Sequence, residues 1–370
     1  MSFCLVVSLI LAVASSTKVD RNILSYGTMR YPNALTELRV EGNVICNSAG
    51  PIFLLGCNIR SQAYNPQTDG RYDDWYTYRQ EDAANIRSYG FDTVRLLVYW
   101  ECLEISNSSA QFLLNETYIE QIKETVNAYN KNGIYVILNL HEHGAVNTLG
   151  NFVPTNGNDA DFADAFYLDR SNTSALVHLE QLWLALSNVF ANFSGVAGYD
   201  LLNEPHHSEG SLTNQEVADY WFDMADNMIS ILRTNGDNHI VFVDFAPWAR
   251  SAIFMSRKLN DSNIVYCPHF YEGINTADSS VTDNDYDWLA GQFNTNVNAT
   301  MNEFSGAFIM EEQGFEGCQL NTNQTVWLEN VLTISKTNPL MQGWLYWCYI
   351  AYNGVPQGGR WQDILVENMR

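Results

Sequence analysis

Positive charge is what this chain has least of. Its 370 residues include 19 Lys and Arg against 42 Asp and Glu, a formal net charge of −23 at pH 7. Such a surface repels nucleic acid and anionic lipid headgroups, leaving neutral ligands or small cations as partners. Long apolar runs are scarce too. Phe3 to Val13 is too short to cross a bilayer. With the small residues Ala12-Val13-Ala14 it reads as a signal peptide, although no Lys or Arg precedes it. The expectation is a secreted protein with no integral membrane span. No CxxC pair marks a zinc site, and no Gly-rich phosphate turn follows the first strand-like run. Charged residues are only 16% of the chain and hydrophobic residues 46%, so disorder is excluded and a large core is available.

Seven N-x-S/T sequons, at Asn107, Asn115, Asn172, Asn192, Asn260, Asn298 and Asn323, agree with export. Beyond Cys4 in the leader, Cys46, Cys57, Cys102, Cys267, Cys318 and Cys348 permit up to three disulfides. Several fall near strand ends, where Cys also serves as a small buried apolar residue.

Leu38 to Ile45 alternates about Gly42-Asn43 and predicts a small N-terminal β-hairpin capping the domain floor. Strand-like and helix-like runs then alternate. Strands are expected at Ile52–Asn58, Thr93–Tyr99, Ile134–Leu140, Val196–Glu204, His239–Phe245, Ile264–Phe270, Ala307–Glu311 and Gly343–Cys348. Helices are expected at Arg79–Tyr89, Tyr118–Tyr129, Leu176–Phe190, Ser251–Leu259, Trp288–Phe304, Thr325–Lys336 and, weakly marked, Trp361–Met369. Thr213-Asn214-Gln215-Glu216 is a capping box opening a further helix to Arg233. Gly- and Asn-rich His143–Arg170 reads as a long loop forming a cleft wall. Eight alternations predict an α/β fold, a single (β/α)8 TIM barrel, with 1–14 as signal peptide, 15–37 as N-terminal extension and 38–370 as the catalytic domain.

A barrel puts functional side chains where its strands end. Arg95, His141, Asn203, Glu204, His269, Tyr271, Glu312 and Trp347 stand at such ends. Two carboxyls from different strands, amid Arg, His, Tyr and Trp, make a glycosidase inventory. HxH at His141–His143 and the His206-His207 pair offer a metal site as a rival, but no third ligand has motif spacing. Trp75, Trp344 and Trp361 are as consistent with core as with sugar platforms, whereas Trp100 and Trp248, just past strand ends, are the better candidates for outer subsites.

Phe91-Asp92-Thr93-Val94-Arg95-Leu96, Leu138-Asn139-Leu140-His141, Asn203-Glu204-Pro205, Pro268-His269-Phe270-Tyr271, Glu312-Gln313-Gly314 and Tyr346-Trp347 follow one another on successive strands. In this the chain resembles glycoside hydrolase family 5, retaining (β/α)8 glycosidases of the cellulase type. The resemblance implies Glu204 as acid/base and Glu312 as nucleophile. Arg95, His141, Asn203, His269, Tyr271 and Trp347 would bind substrate. It implies no cofactor and no metal, a monomer, and a β-linked polysaccharide or oligosaccharide as substrate. A β-1,4-glucan is expected first, then mannan, another β-glucan or a glycosphingolipid. Gly-Phe-Asp-Thr-Val-Arg-Leu also resembles endoglycoceramidases, but the residues after Cys348 are too few for their usual C-terminal β-sandwich. A non-catalytic carbohydrate-binding barrel is the alternative of another class, disfavoured by the intact carboxyl pair.

The chain departs from the family at Glu311, where Gly usually precedes the nucleophile, and at Asn139 in place of Asp. Glu311 is therefore a rival to Glu312, but Gly314 stands two residues after Glu312, as in the family pattern. Adjacent strand residues face opposite ways, so only one of the pair is expected to aim at the cleft, with the other behind the strand.

Overall fold

The computed structural model describes residues 35–60, 80–105, 111–141, 159–172, 174–207, 211–276, 278–304, 306–315 and 320–349. Near the N-terminus, β1 (Arg39–Glu41), β2 (Val44–Asn47) and β3 (Gly50–Pro51) form a small antiparallel sheet, one strand more than the expected hairpin. Gly42, at φ +69°, supplies the left-handed turn between β1 and β2.

The barrel follows. Its strands are β4 (Leu54–Arg60), β5 (Thr93–Val98), β6 (Tyr135–Leu140), β7 (Val196–Asp200), β8 (Ile240–Asp244), β9 (Ile264–Cys267), β12 (Phe308–Gly314) and β13 (Met341–Trp347). All pair in parallel and close as β12-β13-β4-β5-β6-β7-β8-β9, the expected (β/α)8 order. A two-stranded hairpin, β10 (Ile274–Asn275) and β11 (Ser280–Val281), follows β9.

Inward-facing residues obey the period of two along each strand. Tyr135 and Ile137, Ile240 and Phe242, Val265 and Cys267, and Ala307 and Ile309 share one interior cluster. Leu38 and Ile45 of the N-terminal sheet join it and plug the floor. Hydrogen bonds from Tyr135 Oη to the Thr36 carbonyl (2.8 Å) and from the Val40 N–H to Asn263 Oδ1 (2.6 Å) tie that plug to the barrel. Apolar layers thus fill the lower barrel, and the next residues of the same inward rows are polar: Asn139, Asp244, His269 and Glu311, all buried. The site grows out of the core's own alternation.

Outside the strands lie α1 (Gln80–Ser88), α3 (Glu116–Lys131), α5 (Ala175–Phe190), α6 (Asn214–Thr234), α7 (Tyr286–Phe293), α8 (Ala299–Phe304) and α9 (Thr322–Thr337), with a short α2 (Trp100–Leu103) after β5. The capping box expected at Thr213 is made in both directions with Glu216, and Asn321 with Gln324 makes a second one on α9. Their sequence faces, such as Leu179, Leu182, Trp183 and Leu186 on α5, pack against the outer side of the strands.

Four expectations differ. Ser251–Leu259 holds only a 3-10 turn, Ala252–Phe254. Arg257 instead ion-pairs with Asp223 and Asp226 of α6, and the Asn260 N–H donates to Asp226 (2.8 Å), so contacts between elements override helix propensity. The second half of the expected His143–Arg170 loop is a helix, α4 (Asp159–Leu168), anchored by buried Phe166 and Tyr167. Strand β7 ends at Asp200 rather than Glu204: the Asn203 N–H still donates to the Leu140 carbonyl (2.8 Å), but Glu204 turns to φ +45°. Cys46, Cys57, Cys102, Cys267 and Cys348 are buried and unbridged, as small apolar residues would be. Cys318, Trp75, His143 and the expected Trp361–Met369 helix lie outside the described residues. Among the described residues no helix is long and apolar enough to cross a membrane.

Gly314 closes β12 at φ +126°. A Cβ there would come within 2.4 Å of the Tyr346 ring and 2.9 Å of the Trp347 carbonyl oxygen. Gly314→Ala is expected to cost roughly 2–4 kcal/mol from backbone strain and overpacking, read as a lower melting temperature.

Candidate active site

Arg95 organises the mouth of the barrel. It projects from β5, is fully buried, and spends its donors on several strands. Nε donates to Asp200 Oδ2 (2.7 Å), Nη1 to Asn58 Oδ1 (3.1 Å) and Glu312 Oε1 (2.5 Å), and Nη2 to Asn203 Oδ1 (2.9 Å). Glu311 Oε2 lies 3.2 Å from Nε and Asp244 Oδ2 3.8 Å from Nη2. Burial alone would push the guanidinium towards losing its proton. The charges of Asp200, Glu311, Glu312 and Asp244 more than offset this and hold it well above its ordinary value.

Four carboxyl groups around one cation do not all ionise with ease. Burial first, then the neighbouring Asp200 charge, hold Asp244 and Glu311 well above the usual carboxylate range despite Arg95. Glu312 is raised as well, mainly by burial, with His269 and Arg95 pulling the other way. Tyr271 Oη donates to Glu312 Oε2 (3.0 Å), so both oxygens of this carboxylate accept a hydrogen bond.

Glu204 meets the same ring nitrogen of His269 that faces Glu312. Its Oε1 is 2.7 Å from His269 Nδ1, and that same nitrogen is 3.5 Å from Glu312 Oε2. One oxygen from each carboxylate and a ring nitrogen of His269 lie within 4.8 Å of one another. The Glu204 side chain is 14% exposed, whereas that of Glu312 is buried at 5%. Asn203 is fixed through its Oδ1 by Arg95, and its buried Nδ2 has no partner among the described residues. Trp347 stacks on His141, ring centroids 5.3 Å apart at 16°. His141 Nδ1 meets Asn139 Oδ1 (3.0 Å), whose Nδ2 donates to Asp200 Oδ2 (2.6 Å), which joins this aromatic pair to the Arg95 network. All eight residues expected from the sequence therefore meet in one connected site.

Glu311 does not lie behind the strand. Both it and Glu312 reach Arg95 from the barrel side. The register between β12 and β13 shifts twice, between Phe308 and Met310 and again between Met310 and Gln313, which breaks strict alternation at these two residues. Glu311 continues the inward row of Ala307 and Ile309 into the buried layer below Glu312.

Trp100 is no sugar platform: it is fully buried, donating from Nε1 to Glu104 Oε2 (2.7 Å). Trp344 is core as well. Trp248 is 37% exposed and stacks on His206 at 15°, beside Glu204, whose carbonyl accepts from His206 Nδ1 (2.7 Å). Among the described residues, His141, His206 and His207 join no close group of three His, Cys, Asp or Glu donors. Sequence reasoning passed over Asn58, Asp200 and Asp244. Their signal was available: each is a polar residue ending an apolar inward row of a barrel strand.

Comparison with known proteins identifies the family. Residues 56–353 match the family described as Cellulase (glycosyl hydrolase family 5). A probable glucan endo-1,6-beta-glucosidase B of Aspergillus flavus is 31% identical over 207 residues, 52% of this chain and 50% of that protein. Endoglucanase A of Clostridium longisporum is 24% identical over 298 residues, 75% of this chain and 52% of that one. The chain thus spans about half the length of these curated relatives. A crystal structure of endogalactoceramidase superposes with a TM-score of 0.68 at 21% identity, covering 85% of this chain and 75% of that one, and shares its fold. With the match running from the first barrel strand past the last, this chain belongs to glycosyl hydrolase family 5, the cellulase family.

Proposed function

We propose that the chain is a secreted retaining β-glycosidase that cuts β-1,4-linked glucan internally, with Glu204 as acid/base and Glu312 as nucleophile. The observation that carries this reading is the approach of a Glu204 and a Glu312 oxygen to within 4.8 Å across one open mouth. Retaining glycosidases hold their carboxyls about 5–5.5 Å apart, whereas inverting ones need about 6.5–9.5 Å to admit a water.

In the first step a Glu312 oxygen bonds to the anomeric carbon as the bond to the leaving oxygen breaks, and Glu204 gives its proton to that oxygen. In the second, Glu204 takes a proton from water, the water oxygen bonds to the anomeric carbon, and Glu312 departs as carboxylate. Arg95 and Tyr271 hold Glu312 in place for attack. The unused Nδ2 of Asn203 suits the sugar 2-hydroxyl, a contact that strengthens as positive charge develops on the ring. Trp347 offers a flat apolar face for a pyranose, braced by His141. Trp248 on His206, on the Glu204 side, suits a sugar beyond the scissile bond.

Two relatives named for glucan cleavage support a β-glucan substrate, and the fold shared with endogalactoceramidase keeps a glycolipid oligosaccharide as the second reading. Export rests on the Phe3–Val13 run and the seven sequons. Product analysis on carboxymethylcellulose, lichenan, a β-1,6-glucan, mannan and a glycosphingolipid is expected to give fastest release of β-anomeric oligosaccharides from the β-1,4-glucan. Release from the glycosphingolipid alone would move the assignment to the second reading.

Glu204→Gln and Glu312→Gln are each expected to lower turnover by about 10³-fold or more with unchanged melting temperature. Glu311→Gln should retain turnover, and the reverse pattern would exchange the roles of Glu311 and Glu312. Because attack needs ionised Glu312 and its carboxyl sits above the ordinary range, kcat/KM should fall as pH drops through a value above the usual glutamate value of about 4.3. An acid limb at or below that value would contradict this.

A further inference from the structure

Glu204 is restrained at each polar group of its main chain. Its N–H donates to Asp244 Oδ2 (2.8 Å), and its carbonyl accepts from His206 Nδ1 (2.7 Å). At φ +45° its backbone occupies a region that side-chain-bearing residues rarely adopt, so these bonds are what hold it there. His269 touches Glu204 Oε1 through Nδ1 and faces the same Asp244 Oδ2 through Nε2 at 3.5 Å. Asp244, the last residue of β8, is fully buried, and the oxygen that accepts from the Glu204 backbone also lies 3.5 Å from the imidazole beside Glu204.

Asp244 Oδ2 makes no hydrogen bond to Nε2 at this distance, but as the nearest acidic oxygen it biases where the ring carries its hydrogen. A backbone N–H can only donate, so Asp244 Oδ2 acts as an acceptor. Nε2, facing that acceptor, is best placed when it carries the hydrogen, which in a neutral ring leaves Nδ1 with its lone pair. A lone pair 2.7 Å from Glu204 Oε1 favours the carboxylic acid there, which donates to it, over the carboxylate, which would repel it. We propose that Asp244 is a positioning residue for general acid catalysis: it anchors the Glu204 backbone and sets His269 as the Nε2–H tautomer, which keeps Glu204 in its proton-bearing form. This rests on the reading of Glu204 as acid/base.

Other charged groups face the same relay. Arg95 Nη2 lies 3.8 Å from Asp244 Oδ2 and reinforces its acceptor character. Glu311 lies within 4.8 Å of both Asp244 and His269, and the charge of Asp200 acts on Asp244. Glu312 Oε2 is 3.5 Å from Nδ1 and is itself held by Tyr271. A proton on the far oxygen of Asp244, which its burial favours, leaves Oδ2 an acceptor.

An acid is needed in proportion to how poor the leaving group is, so a leaving-group series separates this role from a structural one. Phenyl β-cellobioside requires protonation of the departing oxygen, and dinitrophenyl β-cellobioside does not. Asp244→Ala is expected to lower kcat/KM for the phenyl substrate on the order of 10²-fold. The loss for the dinitrophenyl substrate should stay under about fivefold, showing that the fold and Glu312 still work. Asp244→Asn keeps a neutral acceptor and should restore most of the phenyl activity. Equal losses on both substrates, or an Asn variant no better than Ala, would overturn the proposal. Glu204→Ala in the same series separates the two readings. Selective loss on the phenyl substrate upholds the acid/base role whatever Asp244 does, and no selective loss overturns both.

Discussion

A buried guanidinium facing four buried carboxyl groups is the interaction on which this site depends. Taking Arg95 out of water is costly, and it is tolerable only because β7 and β8 each bring one carboxyl to it, β12 brings two and β4 brings Asn58. The planar fork of arginine suits the task, since its separate N–H groups reach different strands at once, which a lysine ammonium would not match. The result is a cross-brace at the level where the apolar core gives way to the cleft. Closure of the barrel and arrangement of the site are thus one act: strands that failed to close would leave the cation or its carboxyls buried without partners.

Above that brace the site divides into two sides. Glu312 receives hydrogen bonds on both oxygens and sits next to positive charge, which suits the nucleophile role proposed for it. Glu204 faces an imidazole, which suits the acid/base role proposed for it. His269 touches both and is the hinge of the asymmetry. Two carboxylates with different work need different surroundings, and here one arginine on one side and one histidine between them supply the difference. The aromatic pairs extend the division outward, Trp347 with His141 on one flank and Trp248 with His206 on the other.

Much of this was legible from residue patterns. Apolar runs of strand length, separated by helical faces and closed by Gly or capping boxes, identify the barrel because burial on both faces leaves such strands little choice of composition. The residues at the ends of those runs identify the site because strand ends are where a barrel opens to solvent. Thr213 with Glu216 marks a helix start to the residue, since that bonding is local. Where neighbours in space decide the outcome, the patterns were mute. Ser251–Leu259 has helical composition, yet Arg257 and Asn260 are drawn to α6. Asp159–Leu168 follows a loop-like stretch, yet Phe166 and Tyr167 find a buried place.

The sequence by itself pointed to the barrel and to the eight residues at its strand ends through periodicity and short-range order, and to the family through the resemblance of its motifs. Tertiary structure decided which way the side chains turn and what they hold. Simple alternation would put Glu311 and Glu312 on opposite faces, but the shifted register against β13 turns both towards Arg95. The strand-end tryptophans Trp100 and Trp248 look alike in sequence, yet one is walled in by Glu104 and the other is open to solvent. Asp244 stands 40 residues from Glu204 along the chain (244 minus 204) and reaches its backbone only because β7 and β8 lie side by side. Contacts of that kind depend on closure of the ring, which no local pattern encodes.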